Sequence, residues 1–276
     1  MKTGFIGTGN MGRILIEAFI EAGALSPSSI RITNRTKEKA EAIKRLYPGI
    51  RVEESAAEVI QSCDLIFICV KPLDIHPLIS NVSSLLTDDK ILVSITSPIS
   101  VSQLESSADC QAVRAIPSIT NRALSGVSLV TYGERCTLNT RVTIQALFEM
   151  ISKPVPIKEE ITRIASDIVS CGPAFFSYLL QRFIEAAVSE TKIDKETAVL
   201  LASEMLIGMG NLLESERFTL PALQAKVCVK GGITGEGIKV LEKETGKMFE
   251  HLFQSTHAKY YEDIHEIEEQ FSKETL

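Results

Sequence analysis

Thr3-Gly4-Phe5-Ile6-Gly7-Thr8-Gly9-Asn10-Met11-Gly12 starts as a compact apolar run and breaks into glycines spaced G-x-G-x-x-G. Ile14, Leu15, Ala18, Phe19 and Ala22 then recur at helical spacing up to the stop at Gly23. A strand, a glycine-rich turn and a helix, in that order, are the context in which this spacing carries meaning. Gly7 permits a tight turn, Gly9 lets backbone N–H groups approach a pyrophosphate, and Gly12 lets helix and strand pack closely. The helix N-terminus adds a partial positive charge toward such an anion. The stretch predicts a dinucleotide-binding unit, with Gly7, Thr8, Gly9, Asn10, Met11 and Gly12 as its phosphate-facing residues.

Working outward, the same alternation continues. Ile30–Thr33 reads as a second strand, Lys37–Leu46 as a charged helix, and Pro48-Gly49 as a breaker. Ser55 caps another helix, and Leu65-Ile66-Phe67-Ile68-Cys69-Val70 is the clearest buried strand in the chain. A continuous apolar run of that kind suits a parallel sheet covered on both faces. Strands over 91–95, 112–115, 127–131 and 155–157 and a helix over 137–150 complete a doubly wound, Rossmann-like α/β domain, drawn as residues 1–158. From residue 159 nearly every pattern is helical. Residues 198–213 form a helix apolar almost all round, which other helices or another subunit must enclose. Residues 159–276 are therefore expected to be an all-α, dimer-forming domain.

Composition narrows the partners. The 276 residues are 45% apolar and 23% charged with a net charge of −6, so nothing draws the surface toward nucleic acid. No apolar stretch reads as a membrane span, and the N-terminus has no secretory pattern, which together predict a cytoplasmic protein without a membrane partner. The six cysteines form no C-x-x-C pair, and His251, His257 and His265 lack metal-pair spacing, so neither disulfides nor a metal site are expected.

The end of the second strand selects the nucleotide. Binders of NAD place a carboxylate there for the ribose hydroxyls, whereas this chain reads Asn34-Arg35-Thr36-Lys37. An Arg fork, a hydroxyl and a Lys suit a 2′-phosphate, predicting NADP(H). A basic helix start is otherwise unfavourable against the dipole unless an anion compensates it. Val70-Lys71-Pro72 ends the fourth strand at the sheet edge where ligands bind. Cys171-Gly172-Pro173-Ala174 interrupts the helical pattern and puts Pro173 in the first turn of a long helix. Lys230-Gly231-Gly232-Ile233-Thr234-Gly235-Glu236-Gly237 precedes another helix. It reads either as a carboxylate-holding nest with Thr234 as its only hydroxyl or as a flexible loop.

These ordered motifs, with Val113-Arg114-Ala115-Ile116-Pro117, resemble the Δ1-pyrroline-5-carboxylate reductase family over nearly the full length. More narrowly, the chain resembles the divergent reductase-like member of a bacterial late-competence operon. The resemblance implies NADP(H)-dependent reduction of a cyclic imino acid, of the pyrroline-5-carboxylate to proline type. It also implies a homodimer interlocked through C-terminal helices, with room for a higher oligomer. Lys230, Gly231, Gly232 and Ile233 would hold the substrate carboxylate, and the Thr234 hydroxyl would bond the ring nitrogen as the catalytic donor.

The chain also departs from the family. Where members read Ser-Pro-Gly-Gly-Thr-Thr, it has Val229-Lys230-Gly231-Gly232-Ile233-Thr234. Their Met-Pro-Asn-Thr-Pro-Ala run is Ile116-Pro117-Ser118-Ile119-Thr120-Asn121, their serine before Gly-Pro-Ala is Cys171, and an asparagine near the third helix is replaced at Ser55-Ala56. The phosphate half of the site is intact and the substrate half altered, which implies weakened or altered activity. The competing readings are a catalytically impaired paralogue that regulates through bound NADP(H), and a 3-hydroxyacid dehydrogenase. The latter lacks its catalytic lysine in the segment 175–181.

Overall fold

The computed structural model describes residues 1–272; residues 273–276, the end of the predicted helical segment, lie outside the described residues. The chain runs β1 (Thr3–Ile6), α1 (Asn10–Glu21), β2 (Ile30–Thr33), α2 (Lys37–Leu46), β3 (Arg51–Val52), α3 (Ala56–Ser62), β4 (Leu65–Ile68) and α4 (Pro72–Val82). It continues through β5 (Ile91–Ser94), α5 (Val101–Ser107), β6 (Gln111–Ile116), β7 (Val127–Tyr132), α6 (Leu138–Glu149) and β8 (Lys153–Pro156). Helices follow: α7 (Thr162–Ser166), α8 (Gly172–Glu190), α9 (Lys195–Glu214), α10 (Leu220–Val227), α11 (Ile233–Thr245) and α12 (Met248–Ser272).

The strands form one eight-stranded sheet in the order β3-β2-β1-β4-β5-β6-β7-β8. Neighbours are parallel except β6 and β7. The strand order reverses between β1 and β4, which opens a crevice at the carboxyl edge between them. The doubly wound sheet followed by an all-helical region is thus the fold expected. The two-residue β3 carries too little pattern to be legible. β8 tolerates Pro154 and Pro156 because it lies at the sheet edge.

Alternation along β4 explains its unbroken apolar run. Leu65 and Phe67 enter one core with Phe5, Phe19 and Phe148, while Ile66 and Ile68 enter another with Ile6, Val59, Ile75 and Ile79. Phe5 and Phe67 sit opposite each other across β1 and β4, their rings stacked 4.8 Å apart and 6° from parallel. Phe19 of α1 and Phe148 of α6 meet edge-on at 5.5 Å above them. Each such side chain contributes about 1.5–3 kcal/mol of burial.

Two compact units emerge, one comprising Met1–Pro173 with the chain from Ser255 onward, the other Ala174–Gln254. The change of pattern near residue 158 therefore marks where strands end, while compactness divides later. Arg114 of β6, 2% exposed, binds the Glu159 carboxylate with both terminal nitrogens and donates to Thr162 Oγ1 at 2.6 Å. That keeps α7 with the sheet. In α12, Ile267 is 1% exposed and shares a core with Ile75 and Ile79.

No interruption separates α7 from α8. A wider, π-type turn over Asp167–Cys171 joins them, and Pro173 does stand in the first turn of α8. Proline has no N–H to give the carbonyl four residues back, that of Val169. The Ser118 hydroxyl donates to it instead, at 2.8 Å, and Ser170 Oγ donates to the Pro117 carbonyl at 2.9 Å.

One expectation is corrected. The helix α9 is long and apolar enough to cross a membrane, with a mean hydropathy of 1.2 over 18 residues, of which 11% are buried. Ser203, Glu204 and Asn211 interrupt its apolar run without outweighing it. Ala198 and Ala202 face the interior of the second unit, while Leu200, Leu201, Met205 and Ile207 are exposed.

Replacing Ser118 by alanine strands the Val169 carbonyl and the bridge to β6. Urea unfolding of S118A should show a loss of about 1–3 kcal/mol. Unchanged stability would mean the bond is not formed in solution.

Candidate functional site

The crevice is a cleft of about 610 Å³. Gly7, Gly9, Asn34, Arg35, Thr36, Lys37, Val70 and Lys71 line it, so residues expected from three separate motifs meet in one place. Thr8, Asn10, Met11, Gly12 and Pro72 do not line it. They stand in the turn after β1 and at the starts of α1 and α4.

The turn after β1 is shaped by close approach. Gly7 has φ +99°, and a Cβ there would stand 2.7 Å from the Cys69 carbonyl oxygen. A Cβ on Gly12 would fall 2.3 Å from the Gly7 oxygen. Gly9 differs, since nothing lies within 4 Å of where its Cβ would be, leaving open space for a ligand. Among the described residues no side chain caps the first-turn N–H groups of α1. Thr8 is 4% exposed and its hydroxyl has no hydrogen-bond partner among the described residues. An open glycine, an uncapped helix start and an orphaned buried hydroxyl fit a phosphate-bearing ligand.

Asn34 ties the turn to the end of β2. Its Oδ1 accepts from the Thr8 N–H at 2.9 Å and its Nδ2 donates to the Thr36 carbonyl at 2.9 Å. Thr8 N–H is therefore engaged by the protein, and Asn34 braces the cleft. Lys37 is also engaged: its ammonium pairs with Glu54, which raises it above the usual lysine range through a direct hydrogen bond. Glu54 is the anion that compensates the basic start of α2. Arg35, Lys39 and Lys71 have no ion pair among the described residues.

Several lining residues escaped the sequence reading. Lys39, Glu53, Glu54 and Asp74 reach the cleft from α2, the segment after β3 and α4, and Ser55, known from the sequence only as a helix cap, lines it too. Only the topology, which lays β3 beside β2, could have placed Glu53 and Glu54 there. A buried cluster behind the π turn was also missed. Asp167, 1% exposed, accepts from Arg163 at 2.8 Å and from Thr256 Oγ1 at 2.8 Å. Burial pushes the neighbouring Cys171 thiol up.

In the second unit, Gly231 has φ +74° and Gly232 opens α11 with no side-chain cap. Ile233 is 93% exposed. Thr234, in the first turn of α11, lines an apolar groove of about 660 Å³ with Met205, Met209, Leu212 and Ile238. The sequence-predicted nest is thus an uncapped helix start beside an apolar surface. Lys230 is exposed and has no ion pair among the described residues.

Comparison with known proteins adds the following. Residues 2–98 match the family model described as NADP oxidoreductase coenzyme F420-dependent, and residues 159–263 match pyrroline-5-carboxylate reductase dimerisation. The chain is 59% identical over 271 residues to ComE operon protein 4 of Bacillus subtilis, covering 98% of this chain and 99% of that one. It is 28% identical to pyrroline-5-carboxylate reductase 3 of the same organism, over 94% of this chain and 95% of the relative. Among solved structures, pyrroline carboxylate reductase of Plasmodium falciparum with NADP bound shares the fold, with TM-score 0.82, 20% identity and 98% of both chains covered.

The Asn34 bridge is open to direct test. Changing Asn34 to alanine removes both bonds and should cost about 1–2 kcal/mol in thermal or urea unfolding, and Asn34 to aspartate, which keeps the acceptor, about half as much. Equal losses for the two variants would refute the bridging role.

Proposed function

Because the chain belongs to the pyrroline-5-carboxylate reductase family, we propose that it reduces a cyclic imino acid with NADP(H). The family membership makes it an oxidoreductase fold of the NAD(P)-dependent type. The choice of NADP(H), the substrate and the roles of single residues are our reading. The observation that carries it is the cleft where an uncapped α1, the open Gly9 and the orphaned Thr8 hydroxyl adjoin Arg35, Thr36 and Lys37.

In this reading the first-turn N–H groups of Asn10, Met11 and Gly12 hold the pyrophosphate, with Gly7 and Gly9 giving it room. Arg35, Thr36 and Lys37 hold a 2′-phosphate through charge-assisted hydrogen bonds. Val70, Lys71 and Pro72 border the ribose at the carboxyl end of β4. When bound, the nucleotide supplies the hydride. Backbone N–H groups at Gly231, Gly232 and Ile233 orient a substrate carboxylate, with Lys230 as an added cation. The Thr234 hydroxyl donates to the ring nitrogen, stabilising the amine as it develops.

We further assign residues 159–276 to dimerisation and substrate binding, with the exposed face of α9 covered by a second copy of the chain. The dimerisation match and the exposed Leu200, Leu201, Met205 and Ile207 support a homodimer. A second reading is a catalytically impaired, NADP(H)-binding regulatory protein. Val229 and the outward Ile233, where the family has hydroxyl or small residues, favour it, as does a 59% identical relative named for its operon.

Purified protein mixed with NADPH and pyrroline-5-carboxylate should consume NADPH, and T234A should lower kcat by roughly 10²–10³-fold, the cost of one transition-state donor. NADPH binding without turnover would remove the reductase reading and leave the regulatory one. Separately, I207E should convert the dimer to monomer in analytical ultracentrifugation, through a charge buried in an apolar interface. A dimer that persists would place its contact elsewhere.

A further inference from the structure

The carboxylate by which NAD binders hold the ribose is missing from the end of β2, but one is present a strand away. Glu54 follows β3, which pairs with β2, and this adjacency brings it into the same cleft as Arg35, Thr36 and Lys37. Its carboxylate bonds the Lys37 ammonium directly. The adjacent Glu53 is engaged otherwise, by Arg31 at 2.9 Å. Glu54 itself is held at the backbone, its N–H donating to Glu58 Oε2 at 3.3 Å. Both partners of the Lys37–Glu54 pair are more than half exposed, so the pair is weak and exchangeable.

We propose that Glu54 is a specificity-determining residue, competing with a 2′-phosphate for Lys37 and offering itself to an unphosphorylated ribose. The inference rests on the nucleotide reading above. A 2′-phosphate that reaches Lys37 meets a carboxylate on the same ammonium. It either displaces Glu54, losing the existing pair, or sits beside it and is repelled. A ribose 2′-hydroxyl meets no such conflict: it is a neutral donor, and Glu54 accepts from it while still bonded to Lys37. The motif Asn34-Arg35-Thr36-Lys37 therefore overstates the preference for NADP(H), and the cleft accepts NAD(H) as well. Lys39 and Arg35, unpaired on the same rim, keep the phosphate form ahead.

The test is direct binding of NADPH and NADH by calorimetry to the intact protein and to Glu54→Gln, which keeps the side chain's shape. The variant should raise the NADPH-to-NADH affinity ratio by roughly 3- to 10-fold, tightening NADPH and weakening NADH, with the largest gain at low salt. Asp74→Asn is the charge control: it removes one negative charge from the same cleft without touching Lys37 and should change the ratio less. An unchanged ratio in Glu54→Gln, or an equal shift in Asp74→Asn, overturns the competition while leaving nucleotide binding in place. Failure of the unaltered protein to bind either nucleotide removes the nucleotide reading and this inference with it.

Discussion

The start of α1 lies so close to the backbone of Gly7 that one methyl group at residue 12 would be 2.3 Å from a carbonyl oxygen. That approach is the constraint from which the site follows. It sets the start of α1 directly after the carboxyl end of β1, where the space beside Gly9 is open. It also brings Thr8 within reach of Asn34, so the two loops flanking the switch point are tied together. Beneath it, the Phe5 and Phe67 rings stack across β1 and β4, whose spacing their backbone ladder sets. A packing demand in the core and an anion site at the edge are two ends of one geometry.

Much of this was legible because it is local. Glycine spacing and a strand apolar on both faces are properties of contiguous residues. The Ser55 cap also holds, its hydroxyl accepting from the Glu58 N–H. What escaped is what topology brings together. Lys37 and Glu54 meet only because β3 pairs with β2, and two residues of strand leave no periodic trace. Ser118 and Val169 are 51 residues apart, and nothing in either neighbourhood announces their bond. Their meeting changes how Ser118 is understood. By sequence it marks a lost asparagine, whereas in the fold it completes the backbone hydrogen bonding that Pro173 cannot.

The helical half shows a different kind of illegibility. The apolar character of α9 was plain, but a helix apolar on all sides states only that something must cover it. Within its own unit the cover is partial, reaching Ala198 and Ala202. The match to a pyrroline-5-carboxylate reductase dimerisation segment, not the periodicity, is what bears on the nature of that cover. The altered loop at Val229–Ile233 belongs to this same unit, whereas the departure at Ser55-Ala56 lines the cleft at the carboxyl edge of the sheet.

The last helix gives the chain an unusual dependence on its own tail. Ala174–Gln254 is an insertion in the first unit, which resumes at Ser255, and the match to the dimerisation segment stops at residue 263. Beyond that point Ile267 is still buried, and Phe271 packs 4.3 Å from the His76 ring on α4. Residues that look like a dispensable appendage therefore plug the underside of the helix that begins at Pro72. Those turns of α12 are thus core material for a unit whose last strand, β8, ends at Pro156.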